Sequence, residues 1–113
     1  MCTQNQAIGI LKEVYAACNP ILSNSINAAY LYGSYARGDY HSESDIDILI
    51  TASMSSPDIS KCRNAVAAVT SDLSLKHDIT VSVTVKPLEQ FEQYATILPY
   101  YKNVIKEGIK YAV

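Results

Sequence analysis

The sequence predicts an α/β (α+β) domain in which a small mixed β-sheet is covered by helices, and three observations carry that prediction. Two long stretches place apolar residues at helical spacing, three short runs read as strands, the first stopped at Gly33 and the third at Pro87, and the order is helix, strand, strand, helix, strand, helix. The 113 residues suit one unit, and 49% hydrophobic with 18% charged residues is the balance of a chain that buries a core. Residues 1–113 are therefore expected to form a single domain.

Ala7, Ile10, Leu11, Val14 and Cys18 recur on one helical face, and Thr3 followed by Gln6 has the form of a capping box, so a helix is expected over residues 4–17 with Asn19-Pro20 ending it. Ala28-Ala29-Tyr30-Leu31-Tyr32 reads as a strand stopped by Gly33-Ser34. Asp45 to Thr51 reads as a second, with Ile46, Ile48 and Ile50 on one face and Asp45, Asp47 and Leu49 on the other. Pro57 marks the start of a helix over about residues 58–73, whose stripe is Ile59, Cys62, Ala65, Val66, Val69 and Leu73. From Ile79 to Val85 apolar and hydroxyl residues alternate without a break, a strand that Pro87 stops. Two helices follow, Leu88 to Tyr94 and Tyr100 to Lys106, the second closing at Gly108.

The bulk numbers exclude several function classes. Net charge is −2 and the nine Lys and Arg are scattered, which leaves no footprint for general binding to a nucleic-acid backbone. No apolar stretch approaches the ~20 residues of a membrane span, and the first residues lack a basic start followed by an apolar run, so a cytoplasmic protein is expected. Cys2, Cys18 and Cys62 have no metal-type spacing and read as free thiols, and His41 and His77 read as exposed loop histidines. Arg37-Gly38-Asp39 spells an adhesion tripeptide, which in such a chain is coincidence. Tyr30, Tyr32, Tyr35 and Tyr40 divide evenly between core packing and stacking on a base.

The chemistry concentrates between the first two strands, in a connection too long for a tight hairpin and too short for a crossover helix. There a Gly33-Ser34 pair precedes Asp45-Ile46-Asp47. Positions two apart on a strand share a face about 6.6 Å apart, so the two carboxylates can converge on one cation. Oxygen ligands select a hard metal, and magnesium is the expected one, which needs only one or two carboxylates when substrate phosphates complete its shell. Gly33 lets backbone approach a phosphate, Ser34 adds a hydroxyl donor, and Arg37 can add a bidentate contact.

The segment GSYARGDYHSESDIDILI closely resembles the signature of the minimal nucleotidyltransferases of the DNA polymerase β-like superfamily, and Ile105-Lys106-Glu107-Gly108 resembles the pattern with which these proteins often end. The resemblance implies that Gly33 and Ser34 hold phosphate, that Asp45 and Asp47 bind the metal, and that Arg37-Gly38 belong to the Ala-Arg-Gly segment of the minimal group. It implies transfer of a nucleoside monophosphate, AMP above all, from a nucleoside triphosphate such as ATP to a protein or small-molecule hydroxyl, with Mg2+ as cofactor. It also implies an antitoxin-type pairing with a helical HEPN toxin, and a domain this small can self-associate. The superfamily usually adds a third carboxylate from the next strand. Here Asp78, at that strand's expected start, is one candidate; if Ser82 stands there instead, the metal pair survives while the general base is missing. A catalytically degenerate, nucleotide-binding or antitoxin-type interaction subunit is the alternative reading.

Overall fold

The computed structural model describes residues 2–113. Its chain order is α1 (Gln4–Ile21), β1 (Ile26–Tyr32), α2 (Ser34–Arg37), β2 (Ile46–Ala52), α3 (Ser56–Lys61), α4 (Arg63–His77), β3 (Val81–Pro87), α5 (Leu88–Tyr94), α6 (Pro99–Glu107) and β4 (Ile109–Tyr111). The strands form one mixed sheet in the order β3-β2-β1-β4. β1 lies antiparallel to β2 and β4, while β3 is parallel to β2, reached by the crossover through α3 and α4. This is the expected fold class, with a fourth short strand that the sequence did not announce.

The sheet is covered on both faces because its strands are apolar on both. On one side Ile46, Ile48 and Ile50 join Ile10, Leu11 and Val14 of α1 and Val66 of α4 in the larger core. On the other, Leu49 packs with Phe91 of α5 and Tyr101 and Val104 of α6, with Tyr30 and Tyr32 against them. Strand alternation produces this division: Asp47 projects to the same side as Leu49, where the second layer leaves it half-buried.

Local chemistry explains most boundaries. Thr3 Oγ1 accepts from Gln6 N–H at 3.1 Å and Gln6 Oε1 accepts from Thr3 N–H at 2.8 Å, the expected capping box. α1 nevertheless runs past residue 17 through Pro20. A proline this near the end removes only one late intrahelical bond, and Leu22 N–H still closes the helix on Cys18 O at 2.9 Å. Ser23 and Asn24 then turn the chain with φ of 57° and 56°. The expected helix over 58–73 is two helices broken at Cys62, whose ψ of −2° ends the first. The break shifts the helical phase, so Val66 faces the core while Ala65, expected in the stripe, is exposed. α4 also continues to His77, four residues past its expected end, and β3 starts at Val81 instead of Ile79.

The three cysteines are free, and burial pushes the Cys18 thiol up to about 11. Among the described residues no helix is long and apolar enough to cross a membrane.

Candidate active site

β1 ends at Tyr32 and delivers the chain to Gly33, whose φ of +78° and ψ of −155° lie outside the range of ordinary L residues. Space demands glycine there as well: a Cβ would sit 2.7 Å from Asp47 Oδ2. The single turn of α2 follows. Its first helical bonds run from Ala36 and Arg37 N–H to Gly33 O, both 3.1 Å, so the Ser34 and Tyr35 amides precede the helical ladder. Gly38, at φ +88°, ends the turn with its N–H on Ser34 O.

A second small device sets the entry to β2. His41 N–H donates to Ser44 Oγ at 2.9 Å, Ser44 N–H to His41 O at 3.0 Å, and Glu43 N–H to His41 Nδ1 at 3.2 Å. This turn buries Ser44 and fixes the position of Asp45, which stands one residue before β2. His41 is thus part of the loop's own architecture.

Asp47 is where the pieces meet. Across the sheet it pairs with Tyr32 of β1 and with Ser82 of β3. Its carboxyl is pushed up by burial first and by the charge of Asp45 second, with Arg37 acting in the opposite sense. Asp45 and Arg37 therefore both lie within electrostatic reach of Asp47. The Tyr32 hydroxyl, which accepts a hydrogen bond from Tyr100 at 2.9 Å, is held as the neutral phenol by burial first and also by the nearby charge of Asp47. Arg37 is engaged, with Nε on Asp39 Oδ2 at 3.1 Å and Nη1 on Glu107 Oε2 at 3.5 Å. A phosphate contact by Arg37 thus requires exchange of these exposed pairs. It also ties the end of α6 to the motif loop.

The structure brings Gly33, Ser34, Asp45 and Asp47 together with Arg37 at the side. It does not bring Asp78. Instead of opening β3, Asp78 caps the C-terminus of α4 in a left-handed conformation, φ 51° and ψ 46°, and lines a cavity with Ile10 and Glu13 of α1. The strand neighbour of Asp47 is Ser82. His77 is likewise no exposed loop histidine: it ends α4 with Nε2 2.9 Å from Glu13 Oε2. Of the motif tyrosines, Tyr35 is buried and stacks on Tyr40 at 4.4 Å between centroids, and Tyr30 stacks on Phe91 at 5.6 Å. Ser82, the alternative to Asp78 in the sequence, stands beside Asp47, while Tyr100 and Glu107 are site neighbours whose site role the sequence does not announce. Tyr32 carried a signal, being the residue before Gly33 and of the same strand parity as the apolar Tyr30.

Among the described residues no third His, Cys, Asp or Glu joins Asp45 and Asp47. The pair still suits a hard cation. Asp47, whose ionisation is opposed by burial and by the charge of Asp45, carries a penalty that a bound cation relieves. With Asp47 against Gly33 and the Ser34 and Tyr35 amides ahead of the helical ladder, the turn has the chemistry to receive a phosphate together with a cation.

Residues 17–107 match the family described as Polymerase beta, Nucleotidyltransferase. The chain belongs to this nucleotidyltransferase family, in its minimal form. Two provisionally named protein adenylyltransferases of Methanocaldococcus jannaschii are similar to it. One is 39% identical over 77 residues, 68% of this chain and 76% of the relative. The other is 33% identical over 98 residues, 87% of this chain and 90% of the relative. Among solved structures, a provisionally named nucleotidyltransferase of Sulfolobus solfataricus shares the fold with a TM-score of 0.51 at 23% identity, covering 92% of this chain and 80% of that one. A mutant of the toxin–antitoxin MntA–HpeT does so with a TM-score of 0.50 at 17% identity, covering 96% and 72%. A toxin–antitoxin with AMP-PNP has a TM-score of 0.50 at 20% identity, covering 84% and 69%.

Proposed function

We propose that residues 1–113 form a single-domain, metal-dependent nucleotidyltransferase that moves AMP from ATP to a hydroxyl of a protein or small molecule. The observation that carries this reading is the contact between Asp47 Oδ2 and the Cα side of Gly33, which joins the phosphate-type turn to the carboxylate pair. In this mechanism the Ser34 hydroxyl and the amides at the start of α2 hold the triphosphate. Asp45 and Asp47 hold magnesium, which when bound neutralises charge on the phosphoryl oxygens and the departing pyrophosphate. Arg37 swings from Asp39 and Glu107 to a phosphate. The names of the Methanocaldococcus relatives support a protein acceptor, and the toxin–antitoxin neighbours support pairing with a toxin. The helical HEPN type of that toxin rests on the motif resemblance alone, and the cytoplasmic setting on the sequence alone. Calorimetry with ATP and magnesium tests the site: binding is expected, and Asp47→Ala should weaken it at least tenfold. Label from ATP should then reach the toxin partner, and transfer that survives Asp47→Ala sinks the mechanism.

One observation favours a second reading, an antitoxin-type interaction subunit with a degenerate site. Ser82, beside Asp47, cannot take a proton from the acceptor hydroxyl as a carboxylate can. Ser82→Asp separates the two. If the missing base limits turnover, this change should raise transfer by about 100-fold, the lower end of what a positioned base contributes. Binding without transfer in both forms leaves the interaction subunit standing.

A further inference from the structure

β3 is the last strand of the sheet, and its outer edge is open. Ile46 N–H donates to Thr80 O at 2.9 Å, and bonding groups alternate along a parallel ladder, so the even-numbered residues of β3 address β2. The N–H and C=O groups of Val83 and Val85 therefore point away from the sheet. On that outer side Val81 N–H is already taken by Ser74 Oγ at 3.0 Å, but among the described residues no hydrogen bond outside the ladder engages Val83 or Val85. Natural edges are usually blunted by charge, proline or a covering element. Here Lys86 and Pro87 guard only the C-terminal end, and the Val83 and Val85 side chains are only partly buried under α4.

Against this edge lies a cavity of about 410 Å³, with Ile59, Val66, Val83 and Val85 as its apolar wall. Two cationic side chains, Arg63 and Lys86, line it, and no carboxylate does. In a chain of net charge −2, two cations without an acid at one concave place ask for an anionic occupant. The side chains of Val83 and Val85 project to the α4 face and that of Lys86 to the α5 face. A strand laid along the edge would therefore meet the valine wall with Arg63 at its rim on the α4 face, and Lys86 on the α5 face. A second copy of β3 does not answer this demand, because residues 79–87 contain no Asp or Glu.

We propose that the β3 edge receives an extended segment of a partner protein in which apolar side chains alternate with carboxylates. The segment adds a fifth strand, bonded through the N–H and C=O groups of Val83 and Val85. Its apolar residues enter the cavity, and its carboxylates pair with Lys86 and, at the rim, with Arg63. This docking site uses the outer edge of β3, whereas Asp47 adjoins the inner edge through Ser82, and the proposal does not rest on nucleotide transfer.

The test uses a fluorescein-labelled octapeptide alternating valine and glutamate, followed by fluorescence anisotropy on the full chain. Saturable binding is expected, with slowed amide exchange at Val83 and Val85. Lys86→Glu, Arg63→Glu and N-methylation of alternate peptide amides should each weaken it at least tenfold. Arg63 is exposed and Lys86 half-buried, and unchanged melting temperatures confirm that the variants fold. Any of four results overturns the proposal. They are no binding, equal binding of a valine–lysine peptide, indifference to N-methylation, or full displacement by free glutarate, which would mark a small-anion site. Sedimentation showing a dimer that Lys86→Glu dissociates would assign the edge to a second copy instead, and overturn it equally.

Discussion

Asp47 is held in a place that its charge opposes. Burial and the neighbouring Asp45 raise its proton affinity, and the opposing effect of Arg37 is the smallest of the three. The folded chain thus keeps this proton to higher pH than the unfolded chain, where an aspartate releases it near about 3.9. Stability is therefore greatest below that value and falls as pH rises through the folded-state pKa, so at neutral pH Asp47 costs stability. Asp47→Asn keeps the shape and removes the charge. Its melting temperature at pH 7 should exceed that of the parent by about 2–4 °C, with the gap closing near pH 3.5, while transfer falls by about 100-fold or more. Magnesium with ATP should stabilise the parent and not the variant. A variant melting no higher than the parent at pH 7 contradicts the electrostatic penalty, whatever its activity. Gly33 shares this logic of function over comfort, since its positive φ and the carboxylate above it exclude every side chain.

At the scale of elements, the seam between α1 and α4 carries an ion pair, Glu13 with His77 and Lys76, at 2.9 and 3.4 Å. The hydrogen bond from His77, more than the help of Lys76, holds the Glu13 carboxyl below its usual range. A lowered carboxylate stabilises above its unfolded value, and the gain is lost as pH falls through the folded one. With Glu13 and Lys76 open to solvent and His77 partly so, Glu13→Gln should cost about 0.5 kcal/mol at pH 6 and nothing at pH 3, as read from urea unfolding. This pair also shows what the sequence could and could not disclose. Local patterns were legible: Ile46, Ile48 and Ile50 on one face, the alternation leading to Val85, the Thr3–Gln6 box, and the Gly33-Ser34 and Asp45-Ile46-Asp47 segments. Contacts between residues distant in sequence were not. Glu13 meets His77, and Arg37 meets Glu107, only because elements dock. β4 spans three residues and exists by pairing with β1. The third-acid question turned on the same point, because α4 runs on to His77, Asp78 becomes its cap, and the parallel register puts Ser82 beside Asp47.

Taken as a whole, the sheet divides the molecule into two cores with different duties. The larger, between the sheet and α1 with α4, holds the fold together. The smaller one, built on Leu49, Phe91, Tyr101 and Val104, supports the face on which Asp47 stands, and Tyr100 of α6 reaches Tyr32 beside it. Ile48 and Leu49 are adjacent, both fully buried, and point to opposite cores. They make a matched probe of this division. Ile48→Ala and Leu49→Ala should each cost about 2–5 kcal/mol of global stability, because each leaves a cavity in close-packed surroundings. Their local consequences should differ. Leu49→Ala should speed amide exchange in α5 and α6 and weaken binding of ATP with magnesium, since the layer over the Asp47 face loses its central contact. Ile48→Ala should speed exchange in α1 and α4 and leave nucleotide affinity within about twofold of the parent, its cavity lying on the side of the sheet away from the site. Equal loosening of all four helices by either substitution would show one cooperative core, and the separation of duties would fail.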